Sequence, residues 1–157
     1  MAIALDRLDR RILLALQENP DISTADLAAK VGLSHTPCWR RLKRLEEEGI
    51  ILGRALLLNA KALDLPITVF AEVRLKQHDE DTLEALEQVV RTRAEIVECF
   101  CMAGGEGDYL MRIIVSSVES YEHFLKKVLL HLPGVAAVNS RFALSCVKLT
   151  TSLPIVA

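Results

Sequence analysis

Residues 31–51 read VGLSHTPCWRRLKRLEEEGII, and the punctuation of this stretch decides the fold. Gly32 is a helix stop and Ser34 a helix start. Pro37 falls in a first turn, where its missing N–H does no harm. The helix so opened runs to about Glu48 and ends at Gly49. On a helical wheel Cys38, Leu42 and Leu45 share one side, with Arg41 at its margin. The opposite side carries Thr36, Arg40, Lys43 and Arg44, flanked by His35 and Trp39. Four positive charges and no negative one lie between His35 and Leu45; Glu46, Glu47 and Glu48 come only afterwards. A helix that enters a DNA major groove by its leading turns needs this separation. A guanidinium such as that of Arg40 can hydrogen-bond a guanine edge bidentately, while Lys43 or Arg44 neutralises phosphates. Loss of Lys43 or of Arg44 is therefore expected to flatten the salt dependence of binding by about one counterion each. The charged run alone would read as a solvated face. Trp39 packs either on DNA sugars and methyl groups or on a following wing, and His35 is either a groove contact or inert.

Towards the start of the chain, Leu5, Leu8, Ile12 and Leu16 repeat at three- and four-residue spacing, with Arg7, Arg10 and Arg11 elsewhere on the surface. Asn19-Pro20 stops that helix. Ser23 precedes a short helix containing Leu27, Ala28 and Val31. Three short helices with two tight connections spell a helix-turn-helix. Beyond residue 50 the pattern changes. Residues 51–58 are apolar, interrupted by Gly53-Arg54, and predict a small two-stranded wing; 61–65 reads as a linker. Val69, Ala71, Val73 and Leu75 alternate as one buried strand face. A helix over 79–91, strands over 95–103 and 108–115, a helix through Leu132 and a long strand over 135–149 complete a β-α-β-β-α-β order, the ferredoxin-like split unit. The expected organisation is α+β: a winged helix-turn-helix over 1–60, then a ferredoxin-like domain over 66–157.

The composition narrows the function. Nineteen basic against 21 acidic residues exclude a histone-like polycation, so nucleic-acid contact must come from a local basic patch. The 51% apolar content with only 4% aromatics points to aliphatic surface covered by other subunits. No uninterrupted apolar run approaches ~18 residues, so no membrane span is expected. The opening MAIALDRLDRR lacks an apolar signal region, and Cys38, Cys99, Cys101 and Cys146 include no CxxC pair, as suits a cytoplasmic protein with reduced thiols. Cys99 and Cys101 share a strand face and are either a redox or metal feature or small buried hydrophobes. His35, His78, His123 and His131 show no paired-ligand spacing. No catalytic triad, nucleophile elbow, metal site or cofactor motif is expected. In Gly104-Gly105-Glu106-Gly107 the glycines can aim backbone N–H groups at a carboxylate. Asp108 can then pair with an α-ammonium group, and Tyr109 can supply a ring wall and a hydroxyl. The same residues also suit a plain hairpin turn. No Lys-Ser/Thr pair leads from them into a helix, which argues against a nucleotide-binding loop.

Residues 31–51, the opening LDRLDRRILLALQ (5–17), GDYLMRI (107–113) and LPGV (132–135) together closely resemble the Lrp/AsnC (feast/famine) transcription regulators. TPCWRRLKRLEEEGI and the tail KLTTSLPI are most similar to the cysteine-responsive branch. The resemblance covers essentially the whole chain, in order. It implies a sequence-specific DNA-binding regulator, with a ligand-sensing (RAM-type) second domain that builds homodimers and often octamers. It places residues 34–44 on the recognition helix, which adds Ser34 to the DNA-binding candidates. It also places 104–110, Glu106 among them, on the effector loop. Val138 and Ser140 fall on last-strand positions lining the pocket from a neighbouring subunit. The implied effector is a small amino acid bound between dimers, with cysteine a candidate. This chain carries one residue more in the loop than the family's usual G-D-x-D-Y-L form. Two other functions remain open on the same architecture: a sirohaem-decarboxylase-like enzyme, or a DNA-compacting architectural protein with little dependence on an effector.

Overall fold

The computed structural model describes residues 4–156, so the outer limits of the two expected domains, at 1 and 157, lie outside the described residues. The chain forms two compact units. One comprises residues 1–57 together with 148–157; the other spans 58–147.

The first unit is built on three helices, α1 (Arg7–Glu18), α2 (Thr24–Val31) and α3 (His35–Glu47). Asp6 and Asp9 open α1 with a reciprocal capping box. The Asp6 carboxylate accepts the Asp9 N–H at 2.8 Å, and the Asp9 carboxylate accepts the Asp6 N–H at 3.1 Å. The Ser23 hydroxyl accepts the Asp26 N–H at 3.1 Å to start α2. Gly32, at φ 74°, ends it in the left-handed conformation that a side chain resists. Ser34 occupies the N-cap position of α3, yet its hydroxyl makes no capping hydrogen bond. Ile12, Leu13 and Ala15 pack with Leu27, Ala28, Val31, Cys38, Leu42 and Leu45 as the core. The apolar side read from the wheel, Cys38, Leu42 and Leu45, is thus the side of α3 that locks inward.

Two expectations change here. Among the described residues, 52–59 carry no helix or strand, so the two-stranded wing expected over 51–58 is not formed within this chain; Leu52 is 95% exposed. An isolated hairpin of this length buries too little to hold itself together. The long strand expected over 135–149 also ends early. The stretch from residue 148 belongs instead to the first unit, where Ile155 packs against the helical core. The Gln17 side-chain amide clasps the Leu153 backbone, accepting from its N–H at 2.5 Å and donating to its carbonyl at 3.1 Å.

The second unit follows the order β1 (Ile67–Leu75), α4 (Glu80–Arg91), β2 (Ile96–Cys101), β3 (Tyr109–Val115), α5 (Val118–Lys127), β4 (Val135–Phe142). A 3-10 turn, Leu129–His131, interrupts what reads in sequence as one helix through Leu132. The antiparallel sheet is ordered β2-β3-β1-β4, with Ala71 opposite both Met111 and Ser140. Val69, Ala71, Val73 and Leu75 point to the helix-covered face, with Tyr109, Met111, Ile113 and Val115 from β3. The β1–β4 ladder ends with Val69 facing Phe142, and a last hydrogen bond from the Ala143 N–H to the Thr68 carbonyl closes it, two residues short of the start of β1. The opposite sheet face carries Phe70, Glu72 and Arg74, and across the β2–β3 pairing Phe100 beside Leu110; Phe100 is 55% exposed.

Candidate functional site

On α3, Ser34, His35, Thr36, Trp39, Arg40 and Lys43 are exposed, Trp39 to 47%. His35, Thr36, Trp39, Arg40 and Lys43 form one continuous outward strip, with Ser34 at the N-cap before it, because the inward positions are taken by Cys38, Leu42 and Leu45. The cations on the helix are not equivalent. Arg40 makes no ion pair among the described residues. Lys43 stands 3.6 Å from Glu46, both well exposed, a separation worth little in water. Arg41 donates to Asp6 at 2.6 Å and to Asp9 at 2.8 Å. Arg44 donates to Asp9 at 2.5 Å and lies 3.8 Å from Glu48. The Asp6 carboxyl is held below its ordinary value, first by the Asp9 N–H and then by Arg41, while the carboxylates of Asp6 and then Asp9 raise Arg41. Sequence reading missed Asp9 altogether. Its signal was present in the D-x-x-D spacing of the α1 capping box, whose second carboxylate sits where α3 can reach it.

In the second unit Gly104 and Gly105 take positive φ of 83° and 90°, and the hairpin closes where the Met102 N–H meets the Asp108 carbonyl at 2.8 Å. Glu106 and Gly107 then border an open hollow of about 180 Å³ on the accessible sheet face, completed by Glu72, Arg74, Ala137 and Asn139. Gly107 lies close against β1: a Cβ there would stand 3.2 Å from the Glu72 Cβ. Glu72 is paired with Arg141 at 3.0 Å.

The remaining effector candidates do not join this hollow within one chain. The Asp108 carboxylate accepts the Leu75 N–H at 2.7 Å and stands 2.6 Å from His78 Nε2. These contacts, the backbone one first, pull its carboxyl below the ordinary value. It is a hinge between hairpin and β1 rather than an open acceptor for an ammonium group. Tyr109 points to the helix-covered face and donates its hydroxyl to Glu87 of α4 at 3.0 Å; burial first, then Glu87, raises its pKa. Val138 packs against the same core, and Ser140 shares a hydrogen bond of 2.5 Å with the Tyr121 hydroxyl. Arg74, Ala137 and Asn139 line the hollow instead. Strand alternation could have found them, since each lies one residue from a side chain that faces the helices. Cys99 is half-buried and Cys101 exposed, and burial pushes the Cys99 thiol up to about 11. No group of three or more His, Cys, Asp or Glu able to hold a metal occurs among the described residues.

A family model described as the Lrp/AsnC ligand binding domain matches residues 68–153, and one described as winged helix-turn-helix DNA-binding matches 5–51. The chain belongs to the Lrp/AsnC family. It is 40% identical to the Escherichia coli DNA-binding transcriptional activator DecR, over 96% of this chain and 99% of DecR. It is 41% identical to the Haemophilus influenzae leucine-responsive regulatory protein, over 96% of this chain and 90% of that one. Among solved structures, a Neisseria meningitidis transcriptional regulator in complex with L-Met superposes with a TM-score of 0.88 at 36% identity, covering 96% of this chain and 97% of the other. An AsnC family regulator from Agrobacterium tumefaciens gives 0.88 at 41%, with the same coverage. This Lrp/AsnC chain is therefore a DNA-binding transcriptional regulator with a ligand-binding domain, not an enzyme, and the decarboxylase alternative falls away. No helix among the described residues is long and apolar enough to cross a membrane.

Proposed function

We propose that this regulator docks α3 in the major groove of double-stranded DNA through Ser34, His35, Thr36, Trp39, Arg40 and Lys43, and that an amino acid bound in the second unit alters that docking. One observation carries the DNA half: every residue of this strip is exposed while the alternate positions of α3 are locked in a core. Arg40, without an ion pair among the described residues, is suited to reading a guanine edge, and the loosely paired Lys43 to neutralising phosphate. Binding as a homodimer would set two such helices about 34 Å apart, on one side of the duplex. The exposed aliphatic side chains Leu52, Leu56, Leu144 and Val147 support self-association, and an octamer is the assembly to look for.

For the effector, charges of both signs around one hollow suit a zwitterion. Arg74 and Asn139 would receive a carboxylate, Glu106 an ammonium group, and Gly104 and Gly105 would shape the approach. Cysteine is the first candidate effector, with methionine and leucine as comparators. The test is thermal-shift screening of the twenty amino acids on wild type and on R74A and E106A. One amino acid should raise the wild-type Tm and lose most of that effect in both variants. Equal responses in all three proteins would reject the hollow as the site. Gel shifts with scrambled competitor test the other half: equal binding to every sequence would reject specific docking.

A further inference from the structure

Asp9 is the one charged side chain buried outright among the described residues, at 0% exposure. A carboxylate withdrawn from water needs its charge matched and its oxygens hydrogen-bonded, and here both conditions are met from α3. Oδ1 accepts from Arg41 at 2.8 Å; Oδ2 accepts from Arg44 at 2.5 Å and from the Asp6 N–H at 3.1 Å. Arg41 and Arg44 are three residues apart, on one side of α3, so one carboxylate ties two consecutive turns of that helix to the start of α1. The Arg44 Nε is buried and has no hydrogen-bond partner, Glu48 being too far at 3.8 Å to accept. A guanidinium free to follow a phosphate would not leave that N–H stranded.

The apolar contacts of Cys38, Leu42 and Leu45 hold α3 against the core but have little directional preference about its axis. Charge-assisted hydrogen bonds to a planar fork are directional. We infer that Arg44, with Arg41, is a positioning residue rather than a DNA contact: through Asp9 the pair sets the rotation of α3 about its own axis. That setting aims Arg40 and Lys43, each one residue earlier and about 100° around the helix, at the groove. Two cations on the helix are then matched by the chain's own Asp6 and Asp9, and of the helix's cations only Arg40 and Lys43 remain to displace counterions. The inference rests on the docking of α3 in DNA proposed above, and it reverses the expectation that losing Arg44 flattens the salt dependence.

The experiment measures affinity against salt concentration on a duplex selected from random-sequence DNA by wild-type protein, and on a scrambled duplex. Four proteins are compared: wild type, K43Q, R44Q and D9N. Glutamine at 44 removes the charge and is two bonds too short to reach Asp9 as the guanidinium terminus does, which leaves that carboxylate to Arg41 and the Asp6 N–H. The log–log slope of R44Q should equal that of wild type, while K43Q falls by about 0.9, the value of one phosphate contact. D9N frees Arg44, so its slope should steepen and its preference for the selected duplex fall at least tenfold. A slope for R44Q lowered as much as that of K43Q overturns the inference, and that comparison decides it even if D9N fails to fold. A wild type that selects no sequence is a different result, and defeats the docking reading itself.

Discussion

Asp108 shows how far a single residue can stand from its apparent role. Beside three glycines it reads as a ligand group, but the structure commits both oxygens, to the Leu75 N–H and to His78. Its carboxyl is held below the ordinary value of 3.8 in the folded chain. A carboxyl depressed in the folded state binds its proton more readily when unfolded, so its stabilisation is present above about pH 4 and is lost as pH falls through the lower folded value. Tm measured between pH 6 and pH 2.5 should therefore fall less steeply in D108N than in wild type; parallel curves would show that the contact carries no linkage. Cys99 and Cys101 lie two residues apart on one face, yet Cys99 is half-buried and its raised pKa keeps it protonated at neutral pH. Alkylation followed by mass spectrometry should label exposed Cys101 well before Cys99. Sequence could place both thiols on one face but not rank them, because the ranking depends on how far α4 extends over the edge of the sheet.

At the scale of elements, local punctuation carried most of the fold. Gly32 illustrates why: its φ of 74° is reached without penalty only by a residue lacking Cβ, and it aims α2 and α3 at one another. Gly32→Ala should cost roughly 1 kcal/mol in chemical denaturation of the first unit. Leu45→Ala empties a position at 0% exposure and should cost roughly 2–5 kcal/mol there, while amide exchange in β1 and β3 stays unchanged. Helix periods, caps and strand alternation all act over a few residues, so the helix-turn-helix and the β-α-β-β-α-β order were legible. The errors fall where an element's fate depends on a distant partner. Residues 51–58 and 143–149 have the apolar content of strands but no ladder in this chain to join. The effector set divided for the same reason: alternation sends Tyr109, Val138 and Ser140 to the helix-covered face, and only the sheet register reveals which of their neighbours share the open face with Glu106.

Across the whole molecule, the polypeptide passes between the two units twice, near residue 57 and near residue 147. The second passage was hidden in sequence, because KLTTSLPI looks like the ragged end of a strand and nothing local marks Ile155 as part of a helical core. A chain ending at residue 147 loses that packing and the Gln17 clasp, a loss of roughly 2 kcal/mol to the first unit. Hydrogen exchange would report it as faster exchange along α1 with unaltered protection in β1 and β3; slower or equal exchange in α1 would contradict the assignment of the tail. Gln17 and Leu153 are 136 positions apart, which also governs the order in which the protein matures. On the ribosome, the helices that carry the DNA-reading strip emerge more than a hundred residues before Ile155, a side chain that packs on their core. A nascent or nicked polypeptide lacking that closing segment would present its reading helix on a looser frame until the far-off tail arrives to brace it.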